Sequence, residues 1–239
     1  PNFDHSFGDV VLKQNIMVPM RDGINLATDI YLPETEFLSG KALPVLLERT
    51  PYDKSGISRG EIDAEDLISK TRIEVALWFA RRGYICVMQD CRGRYMSEGE
   101  FVKYVNEARD GFDTMEWLVN QSWCDGRVGT MGLSYGAHTQ TALASLHPKG
   151  LAAMFIDSGG FSSAYHSGIR QGGAFELKQA TWAYRHALRS QVTQNDPERK
   201  KALEQVDIKQ WFKDMPWRRG HSPLTAAPEY EAYLFDMWE

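Results

Sequence analysis

The sequence predicts an α/β fold built on a largely parallel sheet. Three observations predict it: short apolar runs with strand character, helical spacing in the segments between them, and a serine flanked by glycines at one strand-to-helix junction. Strands alternating with helices imply βαβ units, and such units make a sheet largely parallel.

Ile16 to Pro19 and Asn25 to Leu32 are apolar and extended, with Arg21-Asp22-Gly23 between them as a turn signal, since Gly adopts φ > 0 there. They predict an N-terminal antiparallel hairpin at one sheet edge. Leu43 to Glu48 reads as a short buried strand. Asp66 to Arg82 carries Leu67, Ile68, Val75, Leu77, Trp78 and Phe79, a helical pattern stopped by Gly83. Tyr84 to Gln89 is the next predicted strand. Ala108, Phe112, Met115 and Leu118 set a helix over Glu107 to Gln121. Val128 to Met131 is a strand, Gly136 to Leu146 a helix of small residues, and Leu151 to Ile156 a strand. From Phe161 onward the strand signal stops. Phe175 to Arg189 and Asp196 to Phe212 read as helices, the second opened by Asn195-Asp196-Pro197 with Pro at the first helical position. The expected division is residues 1–160, the N-terminal part of the sheet domain, and 161–239, a helical cap region over it.

The chain of 239 residues is 43% hydrophobic and 25% charged, ordinary for a globular protein and long enough to bury a sizeable core. A formal net charge of -5, with no Lys/Arg block, leaves no electrostatic footprint for nucleic acid. Cys86, Cys91 and Cys124 form no C-x-x-C pair, which argues against a disulfide framework or a thiolate zinc site; the expectation is free, partly buried thiols. The longest apolar runs, such as Ala42 to Leu47, are about six residues, against the roughly 20 a membrane helix needs. No metal constellation and no phosphate-cradling loop is found, so no cofactor and no metal are expected. No signal peptide is visible, yet the chain opens on Pro1, which suits a removed leader as well as none. The compartment is left open, with a lean towards the cytoplasm.

Gly132-Leu133-Ser134-Tyr135-Gly136 matches G-x-S-x-G. The chemistry needs that spacing: the serine sits on a strained turn between strand and helix, small neighbours let the two approach, and the turn lifts Oγ into the cleft. The backbone N–H of Tyr135 then faces an incoming carbonyl oxygen at the positive end of the helix. The pentapeptide alone is weak; the strand before it and the helix after it make Ser134 a nucleophile candidate, against the plain reading of a glycine-rich turn.

Five ordered segments stand out: Val18 to Leu32, Glu48 to Lys54, Phe79 to Glu98, Asp110 to Asp125 and Arg127 to Ala137. Together they are similar to the cocaine esterase/X-Pro dipeptidyl-peptidase family of serine hydrolases, which also includes α-amino acid ester hydrolases and glutaryl-cephalosporin acylases. The resemblance implies an α/β-hydrolase fold, with Ser134 as nucleophile, Tyr135 as backbone oxyanion donor, and Tyr52 completing the oxyanion hole through its hydroxyl. A phenol suits that role as a neutral donor on a rigid ring; without the resemblance Tyr52 reads as a loop aromatic packed on the core. Asp90-Cys91-Arg92-Gly93-Arg94 resembles a DxRGxG-type turn of the family, with Arg94 where its versions carry serine or threonine. Asp90 and Arg92 are expected to fix loop geometry, ahead of any direct substrate role for Arg92.

A serine nucleophile needs a base and an orienting acid, in the order Ser, Asp or Glu, His. The downstream acids are Asp157, Asp196, Asp207, Asp214 and Asp236; the histidines are His138, His147, His166, His186 and His221, with His221 the best placed by order. None sits in a convincing place, and no strand precedes His221. The expectation is that the C-terminal part of the fold is missing, that acid and base lie outside this chain, and that the chain alone is inactive; a local triad through His221 is the lesser option. The partners expected are a small-molecule ester, amide or short peptide substrate, and the remainder of the same polypeptide or a complementing chain, with homo-oligomer formation open and neither nucleic acid nor membrane. Trp182, Tyr184, Trp211, Phe212 and Trp217 suit either an acyl pocket or a core. The alternative function is a non-catalytic fragment or binding module that keeps the hydrolase frame.

Overall fold

The computed structural model describes residues 4–62, 68–159 and 169–238, which fall into two compact units, Pro1–Gly160 and Phe161–Glu239. In the first unit the strands β1 (Asp4–Ser6), β2 (Val10–Pro19) and β3 (Asn25–Pro33) form an antiparallel meander. Gly23, at φ +86, closes the β2–β3 turn as predicted, with Met20 N–H on the Ile24 carbonyl. After α1 (Glu34–Leu38) come β4 (Leu43–Thr50), then β5 (Ile57–Ile62) and β6 (Ser69–Thr71), which pair apart from the main sheet. The helix α2 (Arg72–Ala80) leads to β7 (Ile85–Asp90). α3 (Glu107–Val119), β8 (Cys124–Leu133), α4 (Tyr135–Ala144) and β9 (Leu151–Asp157) complete the unit.

The main sheet runs β1-β2-β3-β7-β4-β8-β9, antiparallel up to the β3–β7 pair and parallel from β7 to β9. This is the mixed, mostly parallel sheet the alternation implied, with the predicted hairpin at its antiparallel end. Leu32, Val45, Leu47, Val87, Met115 and Val128 meet in its main core, where helix α3 covers one face. The three cysteines are free, but buried outright rather than partly.

Helix predictions in both units need correction. The start of the one predicted from Asp66 lies outside the described residues, and Ser69–Thr71 is strand. The helix begins at Arg72 because Thr71 and Glu74 form a capping box that resolves the first-turn N–H groups there. The one predicted over Asp196 to Phe212 is two helices, α7 (Pro197–Glu204) and α8 (Ile208–Trp211), because the Asp207 side chain accepts from the N–H groups of Lys209 and Gln210 and starts a new helix.

The second unit also contains α5 (Lys178–Arg189), α6 (Gln191–Gln194) and α9 (Pro228–Trp238). Strands do occur after Ile156, contrary to expectation: β10 (Arg170–Gln171) and β11 (Ala174–Phe175) form a two-stranded hairpin across Gly172-Gly173, both at positive φ. They do not join the main sheet. This shifts the start of the helix predicted from Phe175 to Lys178. Ala183, Ala187, Leu203, Leu224 and Leu234 are fully buried in the unit's own core. Trp217 is buried with them and Trp182, Tyr184, Trp211 and Phe212 pack against them, so these aromatics serve as core.

Candidate active site

Ser134 stands alone between β8 and α4 as the N-cap of the helix, with φ 58 and ψ -109. A non-glycine residue in that conformation costs on the order of 1–3 kcal/mol and persists only where its surroundings dictate it. Here the Ser134 N–H donates to the Asp157 carbonyl at the end of β9 (2.9 Å), and the Ser134 carbonyl accepts from Ala137 and His138 N–H (3.1 and 3.2 Å). A Cβ on Gly132, which is at φ +148, would lie 3.0 Å from Gly136 Cα. One on Gly136 would meet nothing nearer than the Arg49 carbonyl at 3.7 Å, so the steric demand of the motif falls on Gly132. Gly159, outside the motif, is tighter still: its Cβ would lie 2.6 Å from the Ser134 carbonyl oxygen.

Tyr135 is the first residue of α4, where a helix leaves its N–H groups without intrahelical partners. Its side chain is buried. The hydroxyl donates to Glu107 Oε1 and accepts from Tyr104 N–H, both at 2.9 Å. Burial, reinforced by the Glu107 charge, holds the phenol well above its ordinary pKa. Glu107 opens α3 and is itself buried; its Oε2 pairs with Arg49 Nη2 (3.2 Å) and accepts from the Cys91 thiol (3.6 Å). Arg49 Nη1 also donates to the Glu107 carbonyl (2.9 Å), and its Nε to Gln89 Oε1 (2.8 Å). The residue after Ser134 is thus clamped at its far end by a buried, charge-compensated network.

Tyr52 lies just past β4, half-buried, with its ring edge-on to that of Tyr135 (centroids 6.4 Å, interplanar angle 76°). The structure therefore brings Tyr52, Tyr135 and Ser134 to one end of the parallel strands. Tyr52 N–H donates to Thr50 Oγ1 (3.1 Å), Arg94 Nε to the Pro51 carbonyl (3.1 Å), and Lys54 N–H to Asp90 Oδ1 (2.8 Å). Burial raises the Asp90 carboxyl to about 7, against the opposing pull of the Lys54 N–H and charge. Arg92 reaches Asp110 (2.6 Å) and Asp22 (2.8 Å), stitching its turn to α3 and to the β2–β3 hairpin. A Cβ on Gly93, at φ +64, would lie 2.3 Å from Phe101 N, so only glycine fits that turn.

The acids downstream of Ser134 have local work. Asp157 accepts from the Ser158 hydroxyl (2.8 Å), Asp196 caps α7, Asp207 caps α8, Asp214 accepts from Gln210, and Asp236 pairs with Arg219. His138 is buried against Tyr104 (ring centroids 4.5 Å, T-shaped); desolvation, then the Lys103 charge, depresses it to about 4. His147 follows α4 at positive φ, His186 packs on Trp182, and His221 packs edge-on to Trp211. His166 lies outside the described residues. Among the described residues no group of three or more His, Cys, Asp or Glu is placed to hold a metal, and no helix is long and apolar enough to cross a membrane.

Sequence reasoning missed Glu107, Arg49 and Gly159. The signal for Glu107 was slight: a carboxylate in the first turn of a helix normally reads as a solvated charge near the helix dipole. Nothing in a single sequence announces that Arg49 waits for it.

The family model for X-Pro dipeptidyl-peptidase (S15 family) matches residues 22–237. Cocaine esterase from Rhodococcus sp. is 40% identical over 147 residues, 62% of this chain and 23% of that protein. A putative serine esterase from Mycobacterium bovis is 36% identical over 140 residues, 55% of this chain and 22% of that protein. Among solved structures, an α-amino acid ester hydrolase superposes with a TM-score of 0.52 at 35% identity, over 66% of this chain and 27% of its own. A CocE/NonD family hydrolase from Staphylococcus aureus gives 0.60 at 26% identity, over 73% of this chain and 32% of its own. The stretch shared with each of these relatives is thus less than a third of the relative's length.

Proposed function

The chain belongs to the X-Pro dipeptidyl-peptidase (S15) family, whose fold is that of α/β hydrolases, and on that basis we propose that it is the nucleophile-bearing portion of a serine hydrolase that cleaves ester or amide bonds. Ser134 attacks the acyl carbonyl, the leaving group departs with a proton, and water releases the acyl group from Oγ. The N–H of Tyr135 and the hydroxyl of Tyr52 stabilise the oxyanion. The observation that carries this reading is the Ser134 backbone: a strained residue held between β8 and α4 by Asp157, with glycines where side chains would collide. Such strain at the head of a helix has a purpose in presenting a nucleophile and none in a plain turn.

The same reading assigns the acid and the histidine to sequence outside these 239 residues. Support comes from the structural engagement of Asp196, Asp207 and Asp236, from a His138 too weakly basic for the task, and from relatives of far greater length. The substrate is an ester, a β-lactam side-chain amide or an X-Pro peptide; the relatives include an esterase and an α-amino acid ester hydrolase, and fold alone does not choose among these.

A fluorophosphonate probe tests the proposal. The complete polypeptide should be labelled at Ser134, and a Ser134→Ala variant should not. The 239-residue chain by itself should show no Ser134-dependent hydrolysis of p-nitrophenyl esters. Absence of labelling in the complete polypeptide would favour a binding module that keeps the hydrolase frame; turnover by the 239-residue chain would return His221 to the site.

A further inference from the structure

The segment that carries Tyr52 is anchored by charges withdrawn from water. Lys54 Nζ lies 2.9 Å from each carboxylate oxygen of Asp29, and the two side chains are only 4% and 1% exposed. Asp29 sits on β3, and its Oδ1 also accepts from Asn15 N–H (2.8 Å) at the irregularity in β2, where Asn15 takes φ 54. The main-chain N–H of Lys54 is held separately by Asp90 at the end of β7. Lys54, two residues after Tyr52, is therefore fixed through both its backbone and its side chain to two adjacent strands of the main sheet.

We propose that Asp29 and Lys54 are positioning residues for the Tyr52 hydroxyl, a buried ion pair whose purpose is the placement of the oxyanion donor. The inference rests on the reading of Tyr52 as that donor. Its physical basis is that a buried ion pair is a poor source of stability: replacing both partners by well-packed apolar groups of similar volume is often neutral or stabilising. What the pair supplies is direction. With both carboxylate oxygens 2.9 Å from the ammonium and neither side chain in reach of water, moving Lys54 would strand a buried charge, whereas an apolar contact slides. A donor that works through a phenol on a loop needs such a geometry, because a displacement of about 1 Å can cost on the order of 10²-fold in rate.

The test uses four forms of the complete polypeptide: wild type, Tyr52→Phe, the pair variant Asp29→Asn/Lys54→Met, and all three changes together. Asparagine keeps an acceptor for Asn15 N–H. Ester hydrolysis and melting temperature are measured on each. The pair variant should lose roughly 10- to 10²-fold in kcat with KM little changed and remain folded, with its melting temperature lowered only by the one amide donor that Asp29→Asn leaves buried. Added to Tyr52→Phe, the same changes should cost almost nothing further, because both routes end at one hydroxyl. Full multiplicative loss in the Tyr52→Phe background would overturn the inference, as would a pair variant of normal kcat beside a disabled Tyr52→Phe enzyme. A Tyr52→Phe enzyme of normal kcat would instead overturn the reading beneath it. Should the pair variant not fold, Lys54→Arg keeps the charge and alters its reach; it should lower kcat only while Tyr52 is present, and an unaltered kcat would overturn the inference.

Discussion

β7 and β9 are much alike as sequences, ICVMQD and LAAMFID, yet the fold treats them oppositely. β7 lies between β3 and β4 and every residue in it is buried. β9 has β8 on one side and no strand on the other among the described residues, and Met154, Phe155 and Ile156 are 42%, 65% and 40% exposed. Both strands end at the candidate site, β7 through the Asp90 carboxyl that holds Lys54 and β9 through the Asp157 carbonyl that holds Ser134. Composition thus says that a strand suits a covered position; it does not say what covers it.

The largest expected effect lies where the two strand ends converge. In the complete polypeptide, Ser134→Ala should lower kcat by on the order of 10⁵–10⁶, the scale for losing a serine nucleophile. Turnover within tenfold of wild type would refute its role. Next comes the strand comparison itself. In the 239-residue chain Val87→Lys should abolish folding, since an unpaired charge in the core costs more than ~4 kcal/mol, while Phe155→Lys should stay within about 0.5 kcal/mol and reduce self-association. In the complete polypeptide Phe155→Lys should become costly as well, if further structure covers β9. Thermal melts and sedimentation on these variants and their two parents decide it, and equal costs for Phe155→Lys in both lengths would remove the idea of a missing neighbour.

A smaller effect is expected at Gly159. Its Cβ would press on the Ser134 carbonyl at 2.6 Å and on Ala137 Cβ at 2.9 Å, so Gly159→Ala should destabilise by about 1–3 kcal/mol and lower kcat by displacing the elbow. A silent Gly159→Ala would mean that β9 and α4 separate freely.

The smallest effect is a pH signature of the buried end of β7. The Asp90 carboxyl is raised to about 7, so its contribution is full below its ordinary value of 3.8 and is lost as pH rises through about 7. His138 runs the other way: depressed to about 4, it contributes fully above 6.5, and that contribution is lost as pH falls through about 4. Between these limits the two oppose each other. Asp90→Asn should therefore uncover a melting temperature that declines from pH 7 towards pH 4 more steeply than in wild type. Parallel profiles for the two proteins would show that Asp90 does not titrate in this window.

The parts of this structure that could be read from sequence were those governed by local rules. The strands β4, β7, β8 and β9 are short apolar runs, the β2–β3 turn needs its glycine, and the serine elbow needs Gly132. Capping was the commonest reason for error: Thr71 and Asp207 each reset a helix start inside a segment whose apolar spacing looked continuous. The Gly172-Gly173 hairpin and α9 were passed over, the first because two-residue strands have no periodicity, the second because aromatic and acidic residues crowd all its faces. At the site, the motif exposed Ser134 and Tyr135, and only family resemblance exposed Tyr52. Glu107 with Arg49, and Lys54 with Asp29, stayed hidden because ion pairing across a sheet is a matter of three-dimensional register, which leaves no pattern along the chain.

The Ser134 N–H is held by the Asp157 carbonyl at the end of β9. An amide exchanges its proton with solvent when its acceptor moves away, and an edge strand frays more readily than a strand paired on both sides. The Ser134 amide is therefore a gauge of the sheet edge: its deuterium uptake should track the fraying of β9, and should slow when any further strand zips onto that edge. Local order at Ser134 would then be set from beyond it, by whatever pairs with that edge.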